Sequence, residues 1–265
     1  DYRGPDGIYH WMDAGVALGQ CMLRTTSESL HDTQPLLSLD NRFVLVMDGW
    51  LSNWQALRRT LLLLEVPIRN DSDAALVLAS FQHWGESCVQ QLEGDFAFVI
   101  WDQHNRRAFC ARDRMGHKSL KYHWDGSIFS FATDAKPLLI LPWIQAEPNK
   151  SRLAEFLAAD MHTLDETLWT DIYRLKAAHH LTVGKEGLKP KRYWRPGFAQ
   201  VPVFSTDDEY IAHYRQLLTE TVRSHARAKE VVSIEVSGGL DSSSVMCLAE
   251  LERRANNLHC PGLKA

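Results

Sequence analysis

The sequence predicts two domains of different fold class: a strand-rich α+β domain over residues 1–203 and the beginning of an α/β domain over residues 204–265. Three observations support this division. Short apolar segments separated by turn residues recur through the first part of the chain, as in antiparallel sheets. The composition then changes at an extended, proline-containing segment, which a long amphipathic helix follows. Finally, a glycine-rich turn joins a strand to a helix, as in α/β folds.

The strands of the first domain are predicted where apolar and β-branched residues recur between turn residues. They comprise residues 16–19, 43–47, 96–101, 108–111, 120–124, 128–132 and 181–183. His104-Asn105 and Asp125-Gly126 stand between neighbouring segments, in the positions that hairpin turns occupy. Because short turns reverse the chain, this run of hairpins predicts antiparallel sheets.

Three helices are predicted in the first domain from apolar residues at helical spacing. Trp54, Leu57, Leu61 and Leu62 recur at helical spacing in the first helix. The second follows Asp71-Ser72-Asp73, whose side chains can cap its amino end. The third is short and begins at Asn149.

An extended segment over residues 193–202 is predicted to link the two domains. Thr206 and Glu209 then have the spacing of a capping box, which opens a long helix. The apolar face of this helix is predicted to carry Ile211, Tyr214, Leu218 and Val222. The helix leads into the most informative stretch of the chain.

That stretch is a glycine-rich turn containing Gly238 and Gly239, preceded by residues 231–234, which are predicted to form a buried strand. A helix is predicted to begin directly after it. Backbone N–H groups of the turn and of the first helical turn converge there and suit an anion such as phosphate. Ser237 and Ser242 can add hydroxyl donors. An ordinary glycine turn is the alternative interpretation.

Composition limits the classes of function. The 265 residues are 45% hydrophobic and 23% charged, which is ordinary for a soluble globular protein. A net charge of −4 without basic runs argues against a nucleic-acid surface, and no apolar stretch approaches the length of a membrane span. The five cysteines show no CxxC spacing, which predicts reduced thiols in a cytoplasmic protein without disulfides or a zinc site.

Several short motifs follow one another along the chain. They are Arg3-Gly4-Pro5-Asp6, Gln34-Pro35-Leu36, Asp48-Gly49, Asn53, Ser72-Asp73, Leu92-Glu93-Gly94-Asp95-Phe96-Ala97-Phe98, Arg112-Asp113 with Gly116, Ala132-Thr133-Asp134-Ala135-Lys136 and Ser237-Gly238-Gly239-Leu240-Asp241-Ser242. Their order resembles the glutamine-dependent asparagine synthetase family. The resemblance covers essentially the whole chain.

This resemblance implies a four-layer αββα sandwich of the Ntn-hydrolase, glutaminase-like type (a class II glutamine amidotransferase domain). It also implies that an ATP-pyrophosphatase domain, of the adenine nucleotide alpha hydrolase type, begins after it. Such an α/β domain needs several strand–helix repeats, and only one follows residue 203. We therefore expect the sequence to be a fragment truncated at both ends.

In this family a substrate carboxylate attacks ATP to give an acyl-adenylate and pyrophosphate. Ammonia or another amine then displaces AMP and leaves an amide. The resemblance assigns ATP and pyrophosphate binding to Val236, Ser237, Gly238, Gly239, Leu240, Asp241 and Ser242. It further implies that Asp241 positions Mg²⁺, and that the carboxylate substrate is a small molecule or a peptide.

The glutaminase half departs from the family pattern at the nucleophile. In the family this is an N-terminal cysteine whose own α-amine acts as the base. Asp1 cannot do this, and none of the internal cysteines has a free α-amine. Hence no catalytic residue is predicted within this sequence; the nucleophile is either absent or upstream.

The glutamine pocket implied by the resemblance comprises Met22, Arg24, Asp48, Gly49, Trp50 and Asp73. Met22 replaces the family's carboxylate-binding arginine, and Arg24 reaches the same face if the strand continues. Asp48 replaces an asparagine, so an amide donor to an oxyanion is lost, and Trp50 adds bulk. Asp73, expected to pair with the α-amine of glutamine, matches the family.

These departures leave three functions open. The first is a glutamine-hydrolysing asparagine synthetase that activates a carboxylate with ATP and Mg²⁺. The second is a relative that uses an amine of its own substrate, such as a lasso-peptide macrolactam cyclase, which residues 160–168 resemble, or a β-lactam synthetase. The third is a non-catalytic nucleotide-binding scaffold. None predicts a nucleic-acid or membrane partner, and a homodimer is left open.

Two further groups are expected to be structural. His179 and His180 are adjacent on a predicted strand, so their side chains point to opposite faces and cannot chelate one metal ion. Arg112 and Asp113 are expected to form a structural pair near the sheet core rather than a catalytic one.

Overall fold

The computed structural model describes residues 3–197 and 202–265. Asp1, which bears on the predicted nucleophile, lies outside the described residues, as does part of the predicted linker. Contacts divide the chain into a first unit, Asp1–Met22 with Thr33–Arg195, and a second unit, Leu23–Asp32 with Pro196–Ala265. The boundary near residue 203 remains a prediction. Within the described ranges, no helix is both long and apolar enough to cross a membrane.

The first unit is built around a six-stranded antiparallel sheet. Its strands are β1 (Ile8–Asp13), β2 (Val16–Cys21), β3 (Leu36–Leu37), β4 (Phe43–Leu51), β5 (Gly94–Asp102), β6 (Arg107–Arg112), β7 (Lys121–Trp124), β8 (Phe129–Ala132), β9 (Tyr173–Arg174), β10 (His179–Gly184) and β11 (Gly187–Arg192). The large sheet has the order β11-β10-β6-β5-β4-β3, beside the hairpin β1-β2 and the small sheet β8-β7-β9. Each predicted strand of the first domain is confirmed.

Both predicted hairpin turns are held by an aspartate. Asp102, the last residue of β5, accepts the backbone N–H groups of His104 and Asn105 at 3.1 Å each. Asp125 accepts the N–H groups of Ile128 at 2.7 Å and Ser127 at 2.8 Å, and these bonds lower the pKa of Asp125 to about 2. Both turn predictions are confirmed.

The large sheet is buried on both faces. Phe43, Leu45 and Met47 of β4 pack in one core cluster, whereas Val44 and Val46 pack in another. This alternation follows from the period of two along a strand. The sheet therefore needs cover on each side.

Helices cover the first face. The helices of the unit are α1 (Trp54–Leu63), α2 (Asp73–Trp84), α3 (Lys136–Leu139) and α4 (Lys150–Ala158), with a 3-10 helix at Gly85–Gln90. Leu61 of α1 and Leu76 of α2 are fully buried in the cluster that contains Phe43. As predicted, Ser72 caps α2 by accepting the Ala75 N–H, and Asn149 caps α4.

The two smaller sheets cover the other face. Leu18 of β2 and Phe129 and Phe131 of β8 pack in the cluster that contains Val44. Ala132 of β8 instead packs with Leu138 of α3, so this second layer is covered by a helix in turn. The order helix, sheet, sheet, helix is the αββα sandwich that the sequence predicts.

The second unit contains α5 (Asp207–His225), β12 (Val232–Ser233), α6 (Leu240–Arg254) and β13 (Leu263–Lys264). The capping box is confirmed, because Thr206 accepts the Glu209 N–H and the Glu209 carboxylate accepts the Thr206 N–H. Leu23–Asp32 joins this unit through Arg227, whose Nη2 lies 3.1 Å from Glu28 Oε2.

Two predictions about which residues of the second unit are buried were wrong. Residues 231–234 do not form a buried strand: β12 has two residues, and Val231 is 53% exposed. In the part of the chain that the structure describes, β12 pairs with β13 alone, in parallel, and a parallel strand is buried only when neighbours and helices cover it. Likewise, Ile211 and Tyr214 on the predicted apolar face of α5 are exposed, and only Val222 of that face is buried.

Candidate functional site

The glycine-rich turn of the second unit lies at the amino end of a fifteen-residue helix. Gly238 has φ of +83°, a left-handed conformation that glycine adopts without strain. Gly239 is the N-cap of α6, and no side chain among the described residues caps that end by a hydrogen bond. The N–H groups of the first turn of α6 are therefore free of side-chain caps, as an anion site requires.

The serine hydroxyls of this turn contact each other. Ser237 Oγ lies 3.1 Å from Ser242 Oγ, and the Ser237 N–H donates to Ser242 Oγ at 3.2 Å. Both residues stand at the edges of the turn, and Asp241, in the first turn of α6, is exposed. Hydroxyl and N–H donors thus surround a turn with a carboxylate beside it, which is the donor set that a magnesium pyrophosphate needs.

In the first unit, three of the predicted pocket residues lie at the end of β4. Asp48, Gly49 and Trp50 pair with residues 97, 96 and 95 of β5. A Cβ at Gly49 would overlap the Asp95 carbonyl oxygen, so this close approach of β4 and β5 requires glycine. The backbone at Gly49 is consequently fixed, and this does not depend on the side chains at positions 48 and 50.

Met22 follows β2 and is buried. Its N–H donates to the Gly7 carbonyl at 2.8 Å and its carbonyl accepts the Asp6 N–H at 3.2 Å. Two residues earlier, Gln20 Nε2 donates to the carbonyl of Met47, next to Asp48, at 3.0 Å. Met22 thus belongs to the same part of the unit as β4, but it brings a thioether where a carboxylate-binding cation is expected.

Arg24 is not on the strand that carries the pocket. β2 ends at Cys21, so the period of two that would align Arg24 with Met22 does not continue, and Arg24 belongs to the second unit. Its Nη2 and Nε donate to the Asp32 carbonyl at 2.9 and 3.2 Å. The expected continuation of the strand to Arg24 is therefore wrong, whereas a role of Arg24 in carboxylate binding stays a prediction.

Asp73 is the first residue of α2 and is buried. The positive end of the helix dipole stabilises a carboxylate at this position. A carboxylate is thus favourably placed at the amino end of α2, and its pairing with the α-amine of glutamine stays a prediction.

Sequence reasoning missed Lys118, whose Nζ lies 2.9 Å from Asp48 Oδ1. Lys118 is held by Arg112, which donates from Nε to the Lys118 carbonyl at 2.5 Å and from Nη1 to the Leu175 carbonyl at 2.7 Å. Nη2 of Arg112 donates to the Gly116 carbonyl. Arg112 is buried, and burial lowers its pKa.

Asp113 binds the N–H groups of the segment whose carbonyl groups Arg112 binds. Its carboxylate accepts the N–H groups of Met115 and His117 at 3.0 Å and that of Lys118 at 2.9 Å, and the residue is fully buried. Arg112 and Asp113 are thus a structural pair that fixes residues 113–118, which we term the β6–β7 loop. In the sequence, the motif Arg112-Asp113 with Gly116 marks this loop but does not indicate the contact of Lys118 with Asp48.

The histidines and cysteines considered as candidates make contacts that are typical of structural residues. His179 Nδ1 contacts the Ala177 carbonyl at 2.8 Å, whereas the buried ring of His180 packs on Phe109. Burial raises the pKa of the Cys88 and Cys110 thiols, which keeps them protonated. In the part of the chain that the structure describes, no group of three or more His, Cys, Asp and Glu side chains is arranged to hold a metal ion.

Comparison with known proteins matches each unit to a family model. The model of the glutamine amidotransferase domain matches residues 1–194, which is most of the chain. The asparagine synthase model matches residues 213–261.

Several relatives with curated descriptions match most of this chain. The glutamine-hydrolysing asparagine synthetase 3 of Bacillus subtilis is 31% identical over 93% of this chain and 40% of its own length. A putative glutamine-hydrolysing asparagine synthetase of Mycobacterium tuberculosis is 32% identical over 94% of this chain and 40% of its own. Amidase chyE of Penicillium rubens is 30% identical over 97% of this chain and 38% of its own length. The chain thus spans about two fifths of the length of these relatives.

Among solved structures, glutamine phosphoribosylpyrophosphate amidotransferase from B. subtilis, complexed with ADP and GMP, matches 94% of this chain and 50% of its own. Its TM-score is 0.46 at 16% identity. The allosteric regulatory enzyme of purine biosynthesis matches 93% of this chain and 50% of its own length, with a TM-score of 0.47 at 16% identity.

Proposed function

The chain belongs to the glutamine-dependent asparagine synthetase family, and on that premise we propose that it acts as an ATP-dependent carbon–nitrogen ligase. The ligase activates a carboxylate as an acyl-adenylate, forms an amide, and releases AMP and pyrophosphate. The observation that carries this proposal is the exposed serine–glycine turn over residues 236–242 at the uncapped amino end of α6. The match of residues 213–261 to the asparagine synthase model supports it.

The turn has the groups that the reaction requires. N–H groups of Gly239 and of the first turn of α6, with the hydroxyls of Ser237 and Ser242, are proposed to hold a pyrophosphate group as it leaves. The start of α6 at Leu240 and the contact between the two hydroxyls support this. Asp241 is proposed to hold Mg²⁺, which when bound would neutralise negative charge on the phosphates. ATP and Mg²⁺ are accordingly the proposed substrate and cofactor.

The acyl substrate is proposed to be a small-molecule or peptide carboxylate, and the enzyme is proposed to work in the cytoplasm. ATP–pyrophosphate exchange by the full-length protein tests the activation step. Exchange that depends on one carboxylate from a panel, aspartate first, is the expected result. Absence of exchange with every carboxylate would favour a non-catalytic nucleotide-binding scaffold.

A second candidate differs in the source of the amine. In a lasso-peptide cyclase or a β-lactam-synthetase-like enzyme, the amine belongs to the substrate and the glutaminase-like unit is degenerate. The observation that favours it is Met22, buried and uncharged where a carboxylate-binding arginine is expected. Release of glutamate from glutamine by the full-length protein separates the candidates, since only the synthetase is expected to release it.

A further inference from the structure

The Lys118–Asp48 pair places a hydrogen-bond donor beside an acceptor at the end of β4. An ammonium group has three N–H donors and a carboxylate has two acceptor oxygens. Within residues 3–197 and 202–265, the bond of 2.9 Å between Lys118 Nζ and Asp48 Oδ1 uses one donor of the ammonium and one oxygen of the carboxylate, so other donors of Lys118 and Oδ2 of Asp48 can serve a ligand. The two side chains are 33% and 42% exposed, so a ligand can reach both.

The donor is held in place by its backbone. Arg112 binds the carbonyl of Lys118, and Asp113 binds its N–H, while both of these charged residues are themselves buried. Asp48 is fixed by the pairing of β4 with β5. Exposed ion pairs on flexible backbones contribute little. Here the backbones of both residues are fixed, which removes the backbone part of the entropic cost of binding a ligand.

A primary carboxamide complements a donor beside an acceptor. Its carbonyl oxygen accepts from the ammonium, and its NH₂ group donates to the carboxylate. A carboxylate ligand would instead be repelled by Asp48, and a cationic ligand by Lys118.

We propose that Lys118 and Asp48 together recognise the carboxamide of glutamine. Lys118 supplies the donor that is lost where Asp48 replaces an asparagine. Lys118 is thus a specificity-determining residue of the first unit. This inference rests on the glutamine part of the proposed function and is independent of the ATP part.

Isothermal titration of the full-length protein with L-glutamine and L-glutamate tests the pairing. The wild type is expected to bind glutamine at least about tenfold more tightly than glutamate. Lys118→Met is expected to weaken glutamine binding about tenfold, and Lys118→Arg to retain most of it. Asp48→Ala leaves the ammonium unpaired, so the preference should reverse in favour of glutamate.

Arg114→Met provides the matched control. It removes a different ion pair of the same loop, Arg114 Nη1 to Glu93 Oε1 at 3.1 Å, and should leave both affinities unchanged. Unfolding midpoints of every variant separate loss of recognition from loss of the fold. The proposal is overturned if the wild type binds neither ligand or does not discriminate, or if Asp48→Ala keeps the preference for glutamine. ATP–pyrophosphate exchange is measured separately, so either proposal can fail alone.

Discussion

The β6–β7 loop and the serine–glycine turn of residues 236–242 satisfy their backbone groups in opposite ways. In the first, buried Arg112 and Asp113 hold the N–H and carbonyl groups of Lys118. In the second, exposed Ser237 and half-buried Ser242 contact each other and Gly239, and the amino end of α6 carries no side-chain cap within the described residues.

This difference separates two ways of building a site. A loop whose backbone groups are used internally is rigid and acts through the side chains that it presents. A turn whose N–H groups and hydroxyls make weak mutual contacts can exchange them for a ligand at small cost, because the donors already converge. Changes in the first loop should therefore alter stability, and changes in the second should alter activity.

The largest effect on stability is expected from Arg112→Met. It leaves Asp113 as a buried charge without its neighbour and removes the donors to the carbonyls of Leu175 and Lys118. Breaking a buried charged network of this kind costs about 3–5 kcal/mol. Urea unfolding of the full-length protein, followed by circular dichroism, measures it. A loss below about 1 kcal/mol would show that the loop is not held by this residue.

Ser242→Ala should affect activity and leave the fold intact. Because the hydroxyl is expected to donate to the departing pyrophosphate, ATP–pyrophosphate exchange should fall about tenfold to a hundredfold. The free energy of unfolding should change by less than about 0.5 kcal/mol, since the residue is not in the core. Ser244→Ala, at an exposed position of the same helix, is the control. Equal losses in the two variants would remove the assigned role of Ser242.

The contrast between buried and exposed polar groups extends to titration. Burial lowers the pKa of His180, so between that lowered value and about 6.5 the native state binds fewer protons than the unfolded state. The free energy of unfolding should therefore rise with pH across this interval, by at most about 1.4 kcal/mol per pH unit, and level off above about pH 6.5.

His180→Phe keeps the ring contact with Phe109 and removes the titrating group. Urea unfolding at several pH values should therefore show a smaller rise for the variant than for the wild type. Parallel curves for the two proteins would mean that His180 does not carry this pH dependence.

The smallest effect is expected from Arg114→Met, in the β6–β7 loop but outside its buried part. Its ion pair with Glu93 is exposed, and such pairs contribute less than about 1 kcal/mol, falling further at high salt. Urea unfolding at low and high salt measures this. A loss comparable to that of Arg112→Met would erase the distinction between the buried and exposed parts of the loop.

Local patterns in the sequence predicted most of the fold. The strands at β4, β5 and β6 follow from apolar runs, and the helix starts at Ser72, Asn149 and Thr206 follow from capping residues. These features depend on neighbours within a few positions, so a single sequence contains the information. The burial of residues 231–234 was not predictable in this way, because it depends on which elements cover them.

The candidate sites also differ in whether they depend on neighbours in the sequence or on contacts between distant residues. The turn of residues 236–242 is contiguous, so its position at the start of α6 could be predicted. The Lys118–Asp48 pair joins residues seventy positions apart and depends on the side chain of Arg112, which no local pattern reveals. The continuation of β2 to Arg24 was wrongly expected, because the end of β2 at Cys21 could not be located closely enough from apolar alternation.

The central claim, that residues 236–242 hold the pyrophosphate of ATP, is tested most directly by Asp241→Asn. ATP–pyrophosphate exchange is measured for the wild-type and variant full-length proteins over a range of Mg²⁺ concentrations. Loss of the carboxylate should lower exchange by at least about a hundredfold at low Mg²⁺, with partial recovery as Mg²⁺ is raised and no change in the unfolding midpoint. Wild-type exchange that Asp241→Asn leaves unchanged at every Mg²⁺ concentration would contradict the claim.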